Sequence, residues 1–506
     1  MNRFIKIHPN DNVVIPVKFA PRGSEAAQGV YTAADIPQGH KIALKDLKKG
    51  DEVIRYGVVL GRLLCGVPAG GHIDEHMLEM PPLPGLDNPS WGKAAVNNEA
   101  FPGNLPATFE GYEVPGSRFA GVRNILGIMT TVQCVTGVMN AALQKIKSEL
   151  LPKYPNVDDV TVINHSYGCG VAIDAPDARI PVRTLKNIFR NPNFGGEIMV
   201  IALGCEKLTP EMILAPHENN CENVIVLQEF KGFIPMMDAI IAMAEKKLKK
   251  LNERRRSTLP LEKLCIGMQC GGSDAFSGIT ANPAAGYASD LLVRAGGTVL
   301  FSEVTEVRDA IGLLLERCES RELSEKLAAE MRWNDAYLER GGANTNANPS
   351  PGNKEGGLSN IVEKTMGAIA KSGSAPLTGI LSPGECVSSE RGLIFAATPS
   401  SDFVCGPLQL ASGITIQVFT TGRGTPYGLA AAPVIKVSTR TELKEKWDDL
   451  IDIDAGTIAE GKETIAEAGE RIFKMIVDTA SGRYKPFAEK YKLHNDICIF
   501  DPAPLA

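Results

Sequence analysis

Residues 264–292 read LCIGMQCGGSDAFSGITANPAAGYASDLL, and the fold class follows from this stretch. Its first five residues form a short apolar run, as expected of a strand that is buried on both faces of a sheet. A cluster of glycine, serine and aspartate comes next, and a helix is predicted over residues 287–295. A buried strand that leads into a helix is half of a βαβ unit, so the stretch predicts a parallel sheet covered by helices.

The same alternation of apolar runs and helical stretches extends from about residue 119 to the end of the chain. This region is therefore predicted to be α/β, with mostly parallel sheets. Its other candidate strands are residues 160–163, 198–203, 224–227, 298–301, 393–396 and 414–419. Its other candidate helices are residues 236–255, 307–336, 360–371 and 457–480.

The N-terminal part has a different character. Short apolar or alternating segments separated by Pro, Gly and Asp turns predict a small all-β domain over residues 1–80, with strands at 4–8, 12–17, 41–44 and 53–60. Residues 81–118 are dense in Pro, Gly and Asn and have no helical or strand period, which predicts a long linker. The predicted organisation is a β domain over 1–80, a linker over 81–118, an α/β domain over 119–260 and a C-terminal α/β catalytic domain over 261–506.

Composition excludes several classes of function. A chain of 506 residues exceeds one hydrophobic core and favours three domains. The net charge of -6, with 53 basic and 59 acidic residues, provides no basic stripe for nucleic acid or for an anionic membrane. The sequence has no secretory h-region and no apolar run long enough to span a membrane, so a cytoplasmic protein is expected. Eleven cysteines without a CxxC pair are expected to be reduced thiols.

Almost every predicted strand of the α/β region runs directly into a cluster of Gly, Cys and polar residues. These clusters are Asn164–Cys169, Gly204–Glu206, Gln269–Asp274, Ser302–Glu303, Thr398–Asp402 and Thr420–Gly428. In open α/β sheets, ligands bind outside the carboxyl ends of the strands, where glycine allows backbone and ligand to approach closely. Six such endings predict a large polar site, although any one of them alone is compatible with an ordinary turn.

Two kinds of side chain in these clusters can carry chemistry. His165 follows a strand beside Tyr167, which favours a proton-transfer role over a half-buried structural histidine. Cysteines at three strand ends, Cys169, Cys205 and Cys270, allow a metal site with soft ligands. Buried cysteines usually act as small hydrophobic residues, which is the interpretation of Cys265, Cys318 and Cys498.

Two segments are candidates for binding an anion. The turn-forming segment NPSPGNKEGG, residues 348–357, precedes a predicted helix, and its Asn353 and Lys354 suit an anion there, although a plain connector is the alternative. Arg423 lies between two glycines and offers a guanidinium fork for a second carboxylate, but an exposed turn arginine is equally compatible.

The β domain contains the sequence His72-Ile73-Asp74-Glu75-His76. On a strand, period two would place His72, Asp74 and His76 on one face as a metal-ligand set, whereas on a polar edge they would have no function. The nucleotide fingerprints GxGxxG after a strand and GxxxxGK[ST] are absent, so no NAD is expected, and no PLP.

Seven motifs in one order resemble the galactarate and altronate dehydratase family over essentially the whole chain. They are KIHPNDNV, GHKIAL, NHSYGCG, LGCEKL, CGGSDAFSGITANP, NPSPGNK and TTGRGTPYG. Stretches such as GVRNILGIMTTVQCVTG and FSEVTEVRDAI resemble the galactarate branch, whereas the histidines of GHIDEHM are more typical of altronate enzymes. The resemblance implies an N-terminal SAF (β-clip) domain, a larger α/β catalytic part and a divalent metal, typically iron, with Mn²⁺, Mg²⁺ or Ca²⁺ as alternatives.

The reaction that the resemblance implies is conversion of galactarate to 5-dehydro-4-deoxy-D-glucarate and water, with altronate or another sugar acid as the alternative substrate. Removal of the proton α to a carboxylate builds negative charge that a divalent cation stabilises, while a base and an acid move the protons. We predict catalytic roles for His165, Tyr167, Asp274 and Lys354. Substrate-binding roles are predicted for Ser273, Asn282, Asn353 and Arg423. The candidate metal ligands are Cys169, Cys205, Glu206, Cys270, His72 and His76, and Asp402 is a further hard-ligand or proton-transfer candidate.

Three rival interpretations remain at this point. An iron–sulfur cluster on Cys169, Cys205 and Cys270 would keep the enzyme class. A non-catalytic protein that binds a sugar acid would use the β domain as a binding module, and an NAD-dependent oxidoreductase is disfavoured by the missing fingerprint. The expected partner is a small sugar diacid, with no nucleic acid and no membrane, and a homo-oligomer is compatible with the sequence.

Overall fold

The computed structural model describes residues 3–95 and 99–505. The N-terminal part is built from short antiparallel strands: β1 (Phe4–Ile5), β2 (Val13–Pro16), β3 (Glu25–Ala27), β4 (Val30–Tyr31), β5 (Lys41–Ala43), β6 (Glu52–Arg55), β7 (Val58–Leu63), β8 (His72–Ile73) and β9 (Leu78–Glu79). They form sheets in the orders β1-β2-β5-β8, β6-β7-β9 and β3-β4. The small all-β domain predicted from the sequence is confirmed.

One predicted strand of this domain is two strands. Residues 53–60 were expected to be continuous, but Tyr56 and Gly57 both have positive φ, at 60° and 73°. Two consecutive residues in the left-handed region form the tight turn that joins hairpin strands. The apolar run therefore folds back on itself as the β6–β7 hairpin.

The segment after the β domain contains a strand that the Pro/Gly-rich composition concealed. β10 (Thr108–Gly111) pairs antiparallel with β15 (Ser257–Pro260), which immediately precedes the C-terminal region. The stretch 81–118 is therefore not wholly irregular, because its last third is hydrogen-bonded to the chain just before the large sheet.

The middle region contains a four-stranded parallel sheet with the strand order β12-β11-β13-β14. Its strands are β11 (Ile125–Thr130), β12 (Asp159–Ile163), β13 (Val200–Ala202) and β14 (Val224–Val226). Its helices are α1 (Thr136–Lys145), α2 (Arg179–Ile188), α3 (Pro210–Ile213) and α4 (Phe233–Asn252). Met139, Met199 and Leu248 belong to one buried apolar cluster, in which α1 and α4 cover one face of this sheet.

The C-terminal region contains a seven-stranded parallel sheet with the order β18-β19-β17-β16-β20-β21-β22. Its strands are β16 (Cys265–Cys270), β17 (Thr298–Phe301), β18 (Leu377–Leu381), β19 (Gly392–Ala396), β20 (Ile416–Thr421), β21 (Val434–Ser438) and β22 (Ile453–Asp454). Its helices are α5 (Ala281–Arg294), α6 (Ile311–Leu315), α7 (Arg321–Arg340), α8 (Pro351–Glu355), α9 (Ile361–Ala370), α10 (Asp402–Ser412), α11 (Thr441–Lys446), α12 (Gly456–Glu460), α13 (Ile465–Ala480) and α14 (Phe487–Lys490). The α/β class with mostly parallel sheets is confirmed.

Two long helices predicted here are interrupted. The segment 307–336 breaks before α7, whose first turn is capped by the Ser320 side chain, which accepts from Leu323 N. The segment 457–480 breaks at Gly461, which has φ +74° and ends α12, and α13 then starts anew with a capping box between Thr464 and Glu467. Capping residues inside an apolar pattern mark a helix start that periodicity alone misses.

The two parallel sheets share a hydrophobic core. Met129 and Ile163 of the four-stranded sheet lie in the same buried cluster as Leu300, Ile394 and Phe419 of the seven-stranded sheet. The two sheets are therefore packed against each other through one apolar core. No helix within the described residues is long and apolar enough to cross a lipid bilayer.

Candidate active site

A cluster of charged side chains lies buried at the carboxyl ends of two central strands of the large sheet. Cys270 is the last residue of β16, and Glu303 and Glu306 follow β17 in a short 3₁₀ turn. Lys364 lies on α9 and Lys371 directly follows this helix. All five residues are buried. Unpaired charges are costly in such surroundings, so the contacts among them decide whether the cluster is stable.

The thiol and both carboxylates converge on one ammonium group. Lys371 Nζ forms an ion pair with Glu303 and lies 3.0 Å from Cys270 Sγ. Cys270 Sγ in turn lies 3.0 Å from Glu306 Oε2. One ligand atom from each of Cys270, Glu303 and Glu306 lies within 4.8 Å of the others, and theirs is the one such group among the described residues. Because the Lys371 ammonium already lies among them, the sulfur and the two carboxylates form a buried environment that favours positive charge.

Lys364 joins this cluster to the segment predicted to bind an anion. Its Nζ lies 2.8 Å from Glu306 Oε1, donates to Asn348 Oδ1 at 2.8 Å and donates to Asn353 Oδ1 at 3.3 Å. Asn353 also donates from Nδ2 to Ser273 O at 2.9 Å. The turn at 348–357 and the loop after β16 are thereby tied to the carboxylates.

The two glutamates have opposite electrostatic surroundings. Burial, followed by repulsion from Glu306, raises the pKa of Glu303 to about 7. Burial acts in the same direction on Glu306, but the Lys364 and Lys371 ammonium groups outweigh it and lower the pKa of Glu306 to about 2. Two carboxyl groups whose pKa values are pushed apart can serve different roles, one as a permanent anion and one as a group that exchanges protons near neutral pH.

Glu303 also has a strained backbone. Its φ is +78°, in the left-handed region that residues with a Cβ seldom adopt. Its N–H donates to Thr398 Oγ1 at 3.1 Å, and its carboxylate is held by Lys371. A non-glycine residue in this conformation costs about 1–2 kcal/mol and is found preferentially at functional sites, where surrounding contacts enforce it.

Asp402 lies beside the cluster without belonging to its ligand group. It is the first residue of α10, is only partly buried, and accepts from Gln269 Nε2 at 3.1 Å. A Cβ on Gly271, directly after β16, would lie 2.4 Å from Phe419 Cζ and 2.5 Å from Asp402 Oδ2, so a larger residue there would displace one of these side chains. Burial raises the pKa of Asp402 to about 6. This group is therefore also able to transfer protons near neutral pH.

The donor set fits a divalent cation. One thiol sulfur and two carboxylate oxygens are ligands that manganese or iron accepts, and a fully oxygen-ligated site would instead favour magnesium or calcium. Displacement of the Lys371 ammonium by a doubly charged ion would keep the buried carboxylates neutralised. Among the candidate metal ligands predicted from the sequence, Cys270 lies in this cluster.

Asp274, a predicted catalytic residue, lies in the loop after β16 and links several segments. It accepts from Thr439 Oγ1 at 2.9 Å and from Phe276 N at 3.0 Å, and it pairs with Arg440 Nε at 2.9 Å. Burial raises the pKa of Asp274. Its oxygens are thus engaged by protein groups that join the loop after β16 to the loop after β21.

The predicted substrate-binding residues divide into buried and accessible groups. Ser273 is buried, and Asn282 is buried and donates to Gly367 O at 3.0 Å while accepting from Thr420 Oγ1 at 2.6 Å. Lys354 is partly exposed, and Arg423 pairs with Glu355 at 2.7 Å with 36% of its side chain exposed. Of the predicted anion grips, Lys354 and Arg423 are accessible to a ligand that approaches from solvent.

The other predicted catalytic and metal-binding residues of the α/β region lie at the smaller sheet. His165 is buried, and its Nε2 lies 2.8 Å from Thr130 O; burial lowers its pKa. Burial raises the pKa of Tyr167 to about 12. Glu206 accepts from Leu203 N at 2.9 Å and from Gly204 N at 2.6 Å. Cys169 and Cys205 are exposed there, so the structure does not bring them together with the buried Cys270.

Residues 72–76 do not form the single strand on which the expected ligand face depended. Strand β8 ends at Ile73, and Asp74 caps a 3₁₀ turn by accepting from His76 N at 2.9 Å. His76 therefore leaves the strand period and lies exposed. His72 instead meets His40, whose Nδ1 lies 3.1 Å from His72 Nε2 and whose Nε2 lies 3.2 Å from Glu355 O. The β domain thus reaches the 348–357 segment through a histidine pair.

Sequence reasoning gave no role to Glu303, Glu306, Lys364 or Lys371. A usable signal was present, because two lysines seven positions apart in an otherwise apolar helical pattern face the same side of a helix. Two glutamates three positions apart directly after a buried strand are the matching acidic signal. Buried lysines are rare unless they are paired, so these two patterns together predict an internal ion-pair cluster.

Comparisons with known proteins cover the whole chain. Residues 261–505 match the C-terminal part of the D-galactarate/altronate dehydratase family, residues 111–252 match the family's second domain, and residues 2–81 match its SAF domain. The galactarate dehydratase (L-threo-forming) of Escherichia coli K12 is 53% identical over 99% of this chain and 97% of its own length. An altronate dehydratase of Bacillus subtilis 168 is 35% identical over 96% of each chain. The beta subunit of a (2R)-sulfolactate sulfo-lyase from Chromohalobacter salexigens is 28% identical over 74% of this chain and 93% of its own.

The three family models match the antiparallel β domain, the four-stranded parallel sheet and the seven-stranded parallel sheet in turn. The buried thiol–carboxylate cluster lies in the part that matches the C-terminal dehydratase domain. Dehydratases are hydro-lyases, which break a carbon–oxygen bond with loss of water. The chain belongs to the D-galactarate/altronate dehydratase family.

Proposed function

We propose that the protein dehydrates galactarate to 5-dehydro-4-deoxy-D-glucarate and water, and that it requires a divalent metal, most favourably Fe²⁺. The observation that carries this proposal is the buried Cys270/Glu303/Glu306 group at the carboxyl ends of parallel strands, with two lysines against it. The 53% identity to a galactarate dehydratase, against 35% to an altronate dehydratase, favours galactarate as the substrate.

The chemistry of the reaction demands what this cluster offers. The proton α to a carboxylate is weakly acidic, so the negative charge that develops on its removal must be stabilised. A bound divalent ion supplies Lewis-acid stabilisation. Cys270, Glu303 and Glu306 would hold the ion. Lys364 would keep Glu306 ionised, and the ion would replace the positive charge of Lys371 at the three donors.

Proton transfer requires a group outside the ligand set. Asp402, with a pKa of about 6, lies beside the cluster and is partly exposed, so it is our choice for the residue that moves a proton at the reacting carbon or at the departing hydroxyl. His165 and Tyr167 remain predicted catalytic residues at the smaller sheet. Lys354 and Arg423, at the accessible rim, are suited to hold the far carboxylate of a diacid.

The test is a substrate panel under anaerobic conditions with iron added. Galactarate, glucarate and altronate are supplied separately, and 2-keto acid formation is measured with and without a chelator. We expect activity on galactarate that the chelator abolishes and that Fe²⁺ restores. Activity confined to altronate would overturn the substrate assignment, and no keto acid from any of the three would overturn the proposed function.

A further inference from the structure

The smaller parallel sheet carries three exposed cysteines at its carboxyl edge. Cys134 follows β11, Cys169 follows β12 and Cys205 follows β13, and these strands are neighbours in the order β12-β11-β13. Parallel strands end at the same edge of a sheet, so their following loops lie side by side. Seven of the eleven cysteines are exposed, and what distinguishes these three is that they follow neighbouring strands at one edge of one sheet.

The three loops touch one another. Gly168 O accepts from Lys207 N at 2.9 Å, which joins the residue before Cys169 to a residue two positions after Cys205. A Cβ on Gly168, whose φ is +111°, would lie 2.0 Å from Thr131 O, so glycine is required where this loop crosses the one that leads to Cys134. Gly168 is the residue at which the three loops meet, because it contacts both Thr131 and Lys207. Each of the three cysteines lies within about three residues of one of these contacts, and consecutive Cα atoms are about 3.8 Å apart.

The loops are held in place without help from the thiols. Glu206 accepts from Leu203 N and Gly204 N in its own loop, and it also accepts from the Thr131 hydroxyl of the neighbouring loop. The Glu206 carboxylate therefore joins the loops of Cys134 and Cys205, while Cys205 Sγ accepts a hydrogen bond from Gln228 Nε2 at 3.4 Å.

A polar cleft of about 580 Å³ opens beside these loops. Its lining includes Gln133, which precedes Cys134, and Asn164, His165 and Ser166 from the loop of Cys169. His165 Nδ1 is buried without a hydrogen-bond partner, as is the Tyr167 hydroxyl in the same loop. Buried polar atoms without partners are costly, and the unpartnered Nδ1 of His165, a residue that lines this cleft, points to a ligand that completes it.

The three thiols do not converge closely enough to share one small ion. Within residues 3–95 and 99–505, Cys270, Glu303 and Glu306 form the one group of candidate ligands whose atoms lie within 4.8 Å of one another, so the three thiols are not gathered around one small ion. A cluster with several irons holds its cysteine sulfurs farther apart than one ion does. Cysteine thiolates are the characteristic ligands of such clusters.

We propose that Cys134, Cys169 and Cys205 bind a [4Fe–4S] cluster, whose fourth iron has no cysteine ligand and faces the polar cleft. This site is separate from the metal site proposed for the dehydration. The three thiols lose their protons and form three Fe–S bonds. Assembly from four ferric ions and four sulfides needs two electrons to give the [4Fe–4S]²⁺ state, and a dithiol reductant supplies them.

The test is anaerobic reconstitution of the full chain with ferric iron, sulfide and dithiothreitol, followed by gel filtration. We expect about four acid-labile sulfide per chain, about four iron in the cluster and up to about one more at the separate Cys270 site, a broad absorption in the visible range, and an electron paramagnetic resonance signal after reduction. Each of Cys134→Ser, Cys169→Ser and Cys205→Ser is expected to lose most of the sulfide and the absorption, with an unchanged circular dichroism spectrum.

Two control variants make the outcome decisive. Cys221→Ser removes an exposed cysteine of the same region outside the three loops and should retain the full cluster. Cys270→Ser should also retain it, while impairing the metal site of the proposed function. A wild-type chain without acid-labile sulfide, or sulfide that survives in all three loop variants, would overturn the proposal. If Cys270→Ser lost the cluster and the three loop variants kept it, the cluster would belong to the large sheet, and the proposal would also be overturned.

Discussion

Replacement of Glu306 by glutamine tests the charge balance of the candidate active site. The carboxylate is buried, with Lys364 at 2.8 Å and Cys270 at 3.0 Å. A pKa lowered from 4.5 to about 2 corresponds to about 3 kcal/mol of preferential stabilisation of the charged form. Loss of one partner from a buried ion pair typically costs about 3–5 kcal/mol, in agreement with that value.

Glutamine keeps the volume and one acceptor oxygen, so we expect the lower end of this range, about 3 kcal/mol. For a folding unit of about 250 residues this lowers Tm by roughly 6–12 °C. Because Glu306 is also a proposed ligand, Glu306→Gln should lose Mn²⁺ binding and turnover as well. Calorimetry measures the first effect. Electron paramagnetic resonance of Mn²⁺ titrated into chelator-treated protein measures the second.

Glu363→Gln is the matched control. Glu363 is equally buried and pairs with Lys41 at 2.6 Å, but it lies outside the thiol–carboxylate group. It should therefore lose a similar amount of stability and retain Mn²⁺ binding. A Tm of Glu306→Gln within about 2 °C of the wild-type Tm would contradict the electrostatic argument. Normal Mn²⁺ binding by Glu306→Gln would contradict the ligand assignment.

Three further predictions concern protons. Burial raises the pKa of Glu303 to about 7. The contribution of Glu303 to the free energy of unfolding is therefore present below its unfolded pKa and is lost as pH rises through 7. In chelator-treated protein, the Tm of Glu303→Gln should be closer to that of wild type, or above it, at pH 8 than at pH 5. Burial lowers the pKa of both His40 and His72, so the contribution of the pair to the free energy of unfolding is present above about pH 6.5 and is lost on acidification. A variant with both histidines replaced by glutamine should show a smaller fall in Tm between pH 7.5 and 5.5 than wild type does. An equal fall in Tm would argue against a role of the pair. Asp402→Asn should strongly reduce 2-keto acid formation while the circular dichroism spectrum stays native, because Asp402 is the proposed proton-transfer group, and near-normal turnover would remove Asp402 from the reaction.

The elements of the large sheet were largely readable from the sequence. Residues 298–301 are a strand with the predicted limits, and the strands beginning at Cys265 and Gly392 start within one residue of their predicted positions. Strands buried on both faces are continuous apolar runs, and such runs need no partner to be recognised. The hairpin at Tyr56–Gly57 and the break at Gly461 were missed because each depends on backbone conformation, which apolar periodicity does not encode.

Only part of the candidate site could be predicted from the sequence. Cys270 was found because it ends an apolar run beside glycines, a local pattern. Its partners Glu306 and Lys371 lie 36 and 101 positions farther along the chain. No local period connects them. Only the parallel order of β16 and β17, with α9 packed across their ends, brings the three side chains into contact.

The sequence by itself determined the α/β class, the small β domain and the presence of polar clusters at strand ends, because these follow from local composition and periodicity. Tertiary structure decided which clusters meet. It placed Cys270 with Glu303, Glu306 and two lysines at the large sheet, and it left Cys169 and Cys205 with Cys134 at the smaller one. The reason is physical: a buried charge is tolerated only beside an opposite charge, and chain order does not say which strands will be neighbours.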